Sequence, residues 1–272
     1  MSPDSPAPGS APATGATLAD GVRFAFGTLT VLPVQVRRWD RPAARYGMVC
    51  APLAGLVVGG AAAAVGGALL VLGASPLLAA VATVAVPAVL TRGLHLDGLA
   101  DVADGLGSGR PAEGALAVMK RSDIGPFGVL TLVLVLLGQV AAVAGLYAHS
   151  WAAGATGFAV GAVVARTALA PACRDGVPAA RPEGLGAAVA GTVPRGTAGA
   201  AVGTVVVLAA CAGLSQGAGG AALYAAGAVL GPAAGEALLR HCVRRFGGVT
   251  GDVLGAVTET AGTVALVVLT LL

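Results

Sequence analysis

Arg92-Gly93-Leu94-His95-Leu96-Asp97-Gly98-Leu99-Ala100-Asp101-Val102-Ala103-Asp104-Gly105-Leu106-Gly107-Ser108-Gly109-Arg110 closes a long apolar run and opens a short acidic one. Asp97, Asp101 and Asp104 are spaced four and then three residues apart, which puts all three on one face of a helix. Like charges on one face repel, so the arrangement is costly unless a cation sits among them. Hard divalent ions take carboxylate oxygens and often carry substrate phosphates on their remaining positions. The stretch is therefore a candidate Mg²⁺ and phosphate site at the end of a hydrophobic segment. The bland reading, a solvated acidic helix, has against it the lack of Lys or Arg one turn away. Gly98 and Gly105 also weaken such a helix without structural gain.

The rest of the chain sets that site in a membrane. Of 272 residues, 56% are hydrophobic and 11% charged, and the mean hydropathy is +0.86. A soluble domain carries about 25% charged residues. Aromatics are 4% and glycines number 43, a composition that suits closely packed spanning helices. Helices of about 20 apolar residues cross a bilayer core, and seven such runs are expected, near 48–73, 76–94, 127–147, 152–171, 197–215, 219–239 and 254–272. The expected fold is all-α, a polytopic membrane helix bundle over residues 18–272, preceded by a disordered tail at 1–17. That tail is rich in Pro, Ala, Ser and Gly, and it lacks the basic start and apolar core of a signal peptide. Leu18–Val34 is a shorter apolar stretch that can lie in the interface or re-enter.

Charge is distributed with a regular alternation. The connections near 74–76, 148–151 and 216–219 hold no Lys, Arg, Asp or Glu, whereas the other connections hold nearly all of them. The positive-inside rule then predicts a cytoplasmic N-terminus, an outside C-terminus and every candidate motif on the cytoplasmic side of the cell membrane. The net charge of +3 comes with no basic run interleaved with aromatics, which argues against nucleic-acid binding. Cys50, Cys173, Cys211 and Cys242 are scattered, without zinc or disulfide spacing.

Several further residues carry candidate chemistry. His95 precedes the acidic cluster and is open to three readings: a base, a substrate contact or an interfacial histidine. Lys120, the single lysine of the chain, starts Lys120-Arg121-Ser122-Asp123-Ile124-Gly125-Pro126-Phe127-Gly128. Basic groups beside glycines hold phosphate oxygens, but the same residues also anchor a span. Arg166 lies inside the fourth apolar run, where a charge is functional by default unless it snorkels to the surface. Arg181 belongs to a polar loop after that run. Gly247-Gly248-Val249-Thr250-Gly251-Asp252 leads into a helix whose free N–H groups suit an anion, with Asp252 as a site residue or a simple cap. Glu259, seven residues on, is an intramembrane carboxylate that should face the bundle interior.

Together these residues resemble the adenosylcobinamide-GDP ribazoletransferase (cobalamin synthase) family. The resemblance rests on Gly93-Leu94-His95-Leu96-Asp97-Gly98-Leu99-Ala100-Asp101 with Asp104-Gly105, on Ile124-Gly125 with Phe127-Gly128, and on Gly247-Gly248 with Thr250-Gly251-Asp252, Leu254-Gly255-Ala256 and Glu259. Pro178-Ala179-Ala180-Arg181 with Glu183-Gly184-Leu185-Gly186 is a weaker match. Arg121 and Asp123 stand in the reverse of the family's usual order, and Ala179 replaces its usual Tyr. The resemblance implies a Mg²⁺-dependent transferase of late vitamin B12 synthesis. A ribose hydroxyl of α-ribazole, or of its 5′-phosphate, attacks the cobinamide-linked phosphorus of adenosylcobinamide-GDP, and GMP leaves. It implies metal-holding roles for Asp97, Asp101 and Asp104 and proton transfer by His95 or an aspartate. Arg92, Lys120, Arg166 and Arg181 would bind phosphate oxygens, and Thr250, Asp252 and Glu259 the acceptor or the metal shell.

Two other classes compete. A CDP-alcohol phosphotransferase of lipid synthesis also places aspartates on helices at a membrane face, but its usual Asp-x-x-Asp-Gly pattern with an Ala-Arg pair is not the pattern here. A small-solute transporter would need polar groups at mid-bilayer and on both surfaces, whereas this chain gathers them at one. Glycine-rich faces leave homo-oligomers open.

Overall fold

The structure, a computed structural model, describes residues 15–271. Residues 1–14 of the expected tail and Leu272 lie outside the described residues. At residue 17 the chain is already ordered for helix entry: Thr17 and Asp20 form a reciprocal capping box that starts α1, Leu18–Leu29. The expected interfacial stretch is thus a helix, followed by extended chain, and it packs on the start of α2, Arg41–Val71. Asp40 caps α2 through the Ala43 N–H. There follow α3 (Pro76–Leu90), α4 (Leu94–Gly107), α5 (Ala112–Val118), α6 (Pro126–His149), α7 (Trp151–Thr167), α8 (Leu169–Ala172), α9 (Gly184–Val189), α10 (Arg195–Gly213), α11 (Gly217–Phe246) and α12 (Gly251–Leu269). No strand occurs among the described residues, so the all-α expectation holds.

Five helical stretches are long and apolar enough to cross a membrane, or six if the bent pair α3–α4 is one crossing. Two local features account for the difference from the expected seven. The run expected at 76–94 stops at Leu90, and α4 leaves at 89° to α3. The runs expected at 197–215 and 219–239 join into one 52-residue helical stretch, Arg195–Phe246. A 3₁₀ turn at Leu214–Gln216, with Gly217 at φ +82°, folds that stretch back on itself. Val205 and Ala209 of α10 therefore share a cluster with Tyr224 and Ala228 of α11.

Small residues set the helix spacings. A Cβ on Gly55 would lie 2.5 Å from the Ala162 carbonyl of α7, and one on Gly231 2.6 Å from the Ala261 carbonyl of α12. With glycine there the backbones approach closely, the packing that stabilises helices where lipid offers no hydrophobic drive. Large side chains point outward instead: Leu56, Leu130, Leu134, Leu137 and Leu208 are all more than half exposed. A continuous apolar exterior of this kind marks a membrane contact. The protein is a multi-pass membrane helix bundle.

Candidate active site

α4 begins at a strained corner. Arg92 has φ +52°, the one positive φ outside glycine among the described residues, and Gly93 follows at φ +68° as the helix N-cap. A non-glycine residue held there costs about 1–3 kcal/mol and persists only when its surroundings fix it. Thr91 helps to do so by bonding back to the Pro87 carbonyl at 2.8 Å, and Val31 N–H donates to the Leu90 carbonyl at 2.8 Å. The corner turns α4 across one end of the bundle, over the N-termini of α6 and α12, so we read α4 as lying outside the spanning segments.

Both crossings are close. The Asp104 carboxylate accepts the Gly125 N–H at 2.7 Å and the Gly128 N–H at 2.9 Å, so it caps α6 from another helix. Asp104 is 8% exposed. A Cβ on Gly128 would lie 2.5 Å from Asp104 Oδ2 and 3.0 Å from the Ala100 carbonyl. On the other side, a Cβ on Gly98 would lie 2.7 Å from the Asp252 carbonyl, and one on Gly255 3.1 Å from that of His95. The glycines of the first three motifs are thus the contact surfaces of one helix crossing.

The crossing fans out the three aspartates. Asp97 is exposed, Asp101 half-buried and Asp104 buried. Burial pushes the Asp101 carboxyl up to about 7; Asp252, Asp97 and Asp104 push in the same direction, and Arg181 opposes them. Asp101 therefore sits where negative charge from α4 and α12 accumulates. Thr250 caps α12 by accepting the Val253 N–H, and its hydroxyl donates to Asp252 Oδ2 at 3.1 Å. Arg181 Nη1 lies 4.0 Å from Asp252 Oδ2, and Nη2 donates to the Leu116 carbonyl at 2.6 Å.

Two hollows meet at Asp97. A cleft of about 540 Å³ on the α6 side is lined by Arg92, Asp97, Asp101, Arg121, Ser122 and Asp123. A narrower one of about 120 Å³ on the α12 side is lined by His95, Asp97, Gly251 and Asp252, with Leu185 over it. The larger cleft has carboxylates and guanidiniums in one wall, which is what a metal-bound diphosphate needs. Among the described residues no three His, Cys, Asp or Glu side chains gather into a ready metal cage. Mg²⁺ does not require one, since it is usually held by one or two carboxylates together with substrate phosphates and water. Asp97 and Asp101 fit that pattern. Asp104, the third expected ligand, is already engaged, because each of its oxygens accepts a backbone N–H, and is less free than Asp97 and Asp101 to hold a cation.

The paired loops explain the remaining motifs. Ala180 N–H donates to the Val249 carbonyl and Val249 N–H to the Pro178 carbonyl, both at 2.9 Å. A Cβ on Gly248 would lie 2.5 Å from the Pro178 carbonyl, and one on Gly186 2.7 Å from that of Val249. The loop carrying Arg181 is thereby fixed to the entry of α12. Ala179, where the family's usual residue is larger, is exposed beside this pairing.

Other expected residues fall elsewhere. Lys120 stands off the cleft, its Nζ 3.8 Å from Glu183 Oε1, with the two side chains 58% and 79% exposed. Arg121 lines the cleft in its place. His95 is 3% exposed, and neither ring nitrogen has a hydrogen-bond partner among the described residues. Arg166 and Glu259 line a separate hollow of about 40 Å³ between α3, α6, α7 and α12. Arg166 is 5% exposed and does not snorkel; its Nη2 has no hydrogen-bond partner among the described residues. Glu259 accepts from Gln139 Nε2 at 3.0 Å, and the same nitrogen reaches Thr263 Oγ1 at 2.9 Å. Gln139 escaped the sequence reading although one amide in an apolar run was a usable signal. Glu236 was also missed; it receives both Arg174 nitrogens at 2.8 Å and Arg240 at 2.7 Å, a brace between the α8 end and α11.

Fold and site together define a polytopic membrane enzyme with an acidic helix laid across one end of its bundle. The chain belongs to the cobalamin-5-phosphate synthase family, whose pattern it matches over residues 21–270, and it is a transferase of cobalamin synthesis. It is similar to three proteins named adenosylcobinamide-GDP ribazoletransferase. That of Frankia casuarinae is 41% identical over 261 residues, covering 91% of this chain and 93% of the relative. That of a Nocardioides species is 42% identical over 245 residues, covering 90% and 95%. That of Bradyrhizobium diazoefficiens is 40% identical over 252 residues, covering 91% and 92%. No solved structure matches the chain.

Proposed function

We propose that this chain joins adenosylcobinamide-GDP to α-ribazole or its 5′-phosphate, releasing GMP, with Mg²⁺ held at Asp97 and Asp101. The observation that carries the reading is the cleft where Asp97 and Asp101 stand beside Arg92 and Arg121. Transfer at phosphorus needs positioning and charge neutralisation more than covalent help. A bound Mg²⁺ supplies charge neutralisation on the diphosphate and on the leaving GMP.

The chain's own groups supply the rest. Arg92 and Arg121 bind phosphate oxygens along the cleft wall, and the strained Arg92 backbone fixes where its side chain starts. Asp252, tied to Thr250, orients the acceptor from the α12 side, and Arg181 balances its charge. Asp252, which is not one of the two metal-holding carboxylates, accepts the proton of the attacking ribose hydroxyl. His95, without a hydrogen-bond partner among the described residues and walling the α12-side hollow, is the second candidate for that proton. Asp104 holds α4 on α6 and acts by position.

We infer the cytoplasmic face of the cell membrane for this site, and with it a cytoplasmic N-terminus. The cationic residues around the cleft share one end of the bundle with Arg37, Arg38, Arg41 and Arg45, and positive charge marks the cytoplasmic side. The test is GMP release by detergent-purified protein given both substrates and Mg²⁺. Release that needs both substrates and stops with EDTA and in Asp101→Asn is expected. Folded protein that releases no GMP under these conditions sinks the reading.

A further inference from the structure

An apolar groove of about 620 Å³ runs between α2, α7 and α10 and shares no lining residue with the acidic cleft. Val49, Leu53 and Leu56 of α2 face Thr204 and Leu208 of α10 across it, with Val163 of α7 as floor. At the head of the same two helices lies a polar cleft of about 430 Å³, formed by Arg41, Arg45 and Tyr46 of α2 and by Gly191 and Thr192, which lead into α10. Arg45 is one helical turn from Val49, so one face of α2 passes from basic to apolar without a break. Arg41 is already fixed there, donating to the Ala190 carbonyl at 2.8 Å. Arg45 packs over Tyr46 at 5.8 Å and has no carboxylate partner among the described residues.

We propose that this composite groove binds one anionic phospholipid, with its phosphate at Arg41 and Arg45 and an acyl chain between α2 and α10. The charge order decides the occupant. An anionic headgroup beside an apolar chain matches a basic head above an apolar groove, and each Lys or Arg near an anionic membrane surface contributes about 1 kcal/mol. A second copy of the chain would bring its own arginines to the same membrane level and meet repulsion at the head of the groove.

The test is native mass spectrometry of the full-length protein in detergent, with phosphatidylglycerol or phosphatidylcholine of the same acyl chains added. About fivefold greater retention of phosphatidylglycerol is expected, the ratio that one such contact supplies. Arg45→Gln should lower phosphatidylglycerol to the phosphatidylcholine level, and Arg45→Lys should keep most of the preference. Thr204→Trp, which fills the groove, should lower retention of both lipids. GMP release by the Arg45 variants should stay at the wild-type level, which checks folding and separates this site from the catalytic one. Equal retention of the two lipids by the wild type overturns the proposal, as does unchanged preference in Arg45→Gln. A dimer that Thr204→Trp dissociates, with lipid retention untouched, overturns it in favour of a second copy.

Discussion

The two ends of α4 carry the same residue type on the same face and do opposite things. At its start Asp97 and Asp101 line an open cleft beside Arg92 and Arg121, and their mutual repulsion is only partly opposed, by Arg181. At its end Asp104 is buried, and each of its oxygens accepts an N–H of α6. Spacing on a helix identifies a shared face; what lies against that face decides whether a carboxylate reacts or holds.

The comparison breaks most sharply on the reactive end. Asp101→Asn should lower turnover about a hundredfold or more, the scale of removing one charge-stabilising group from a transition state. Its thermal unfolding should come no earlier than that of the wild type, because a neutral amide relieves the repulsion. A variant that melts early would mean that Asp101 holds the fold as Asp104 does.

The holding end predicts the reverse pattern. Asp104→Ala leaves the N-terminus of α6 uncapped and should cost about 3 kcal/mol, since hydrogen bonds to a charged group contribute about 1.5–3 kcal/mol each. Melting and turnover should fall together, and Gly128→Ala should copy the effect by wedging α4 off α6. Full stability of Asp104→Ala with lost turnover would return Asp104 to the metal.

A smaller effect sharpens the electrostatics. Asp101 is protonated below about 7, and a proton and a cation compete for the same carboxylate. At limiting Mg²⁺, turnover should therefore rise with pH through about 7, and added Mg²⁺ should move the inflection lower. An inflection that ignores Mg²⁺ breaks the link between this carboxyl and the metal. The smallest effect belongs to Lys120→Ala, since exposed ion pairs contribute about 0–1 kcal/mol. A change of less than about threefold in turnover and KM is expected; a large rise in KM would bring Lys120 into the cleft.

Much of the bundle was legible because apolar runs and bare loops alternate along the chain. The break at Arg92 was not, because a positive φ on an arginine follows from tertiary contacts and has no local signature. The turn at Leu214–Gln216 falls beside the connection expected at 216–219, and α10 and α11 fold back on one another across it. Within the site, Asp97, Asp101 and Asp252 could be picked from charge in an apolar chain. The role of Asp104 could not, since it depends on α6 arriving underneath from twenty residues away. For the same reason Gly125 and Gly128 read as phosphate-binding glycines, when their N–H groups bind a carboxylate of the protein. Lys120 was singled out for being unique in composition, which says nothing about where a loop points.

The shortness of α3 has its own consequence. Its 15 residues rise about 22 Å, less than the roughly 30 Å of a bilayer's hydrocarbon core. A helix that short is met by a thinned bilayer or a local dip of the headgroups. A crossing by α3 alone would bring the corner at Arg92 to headgroup depth in a locally thinned bilayer. A charged group held at that corner would meet water and headgroups at the same time.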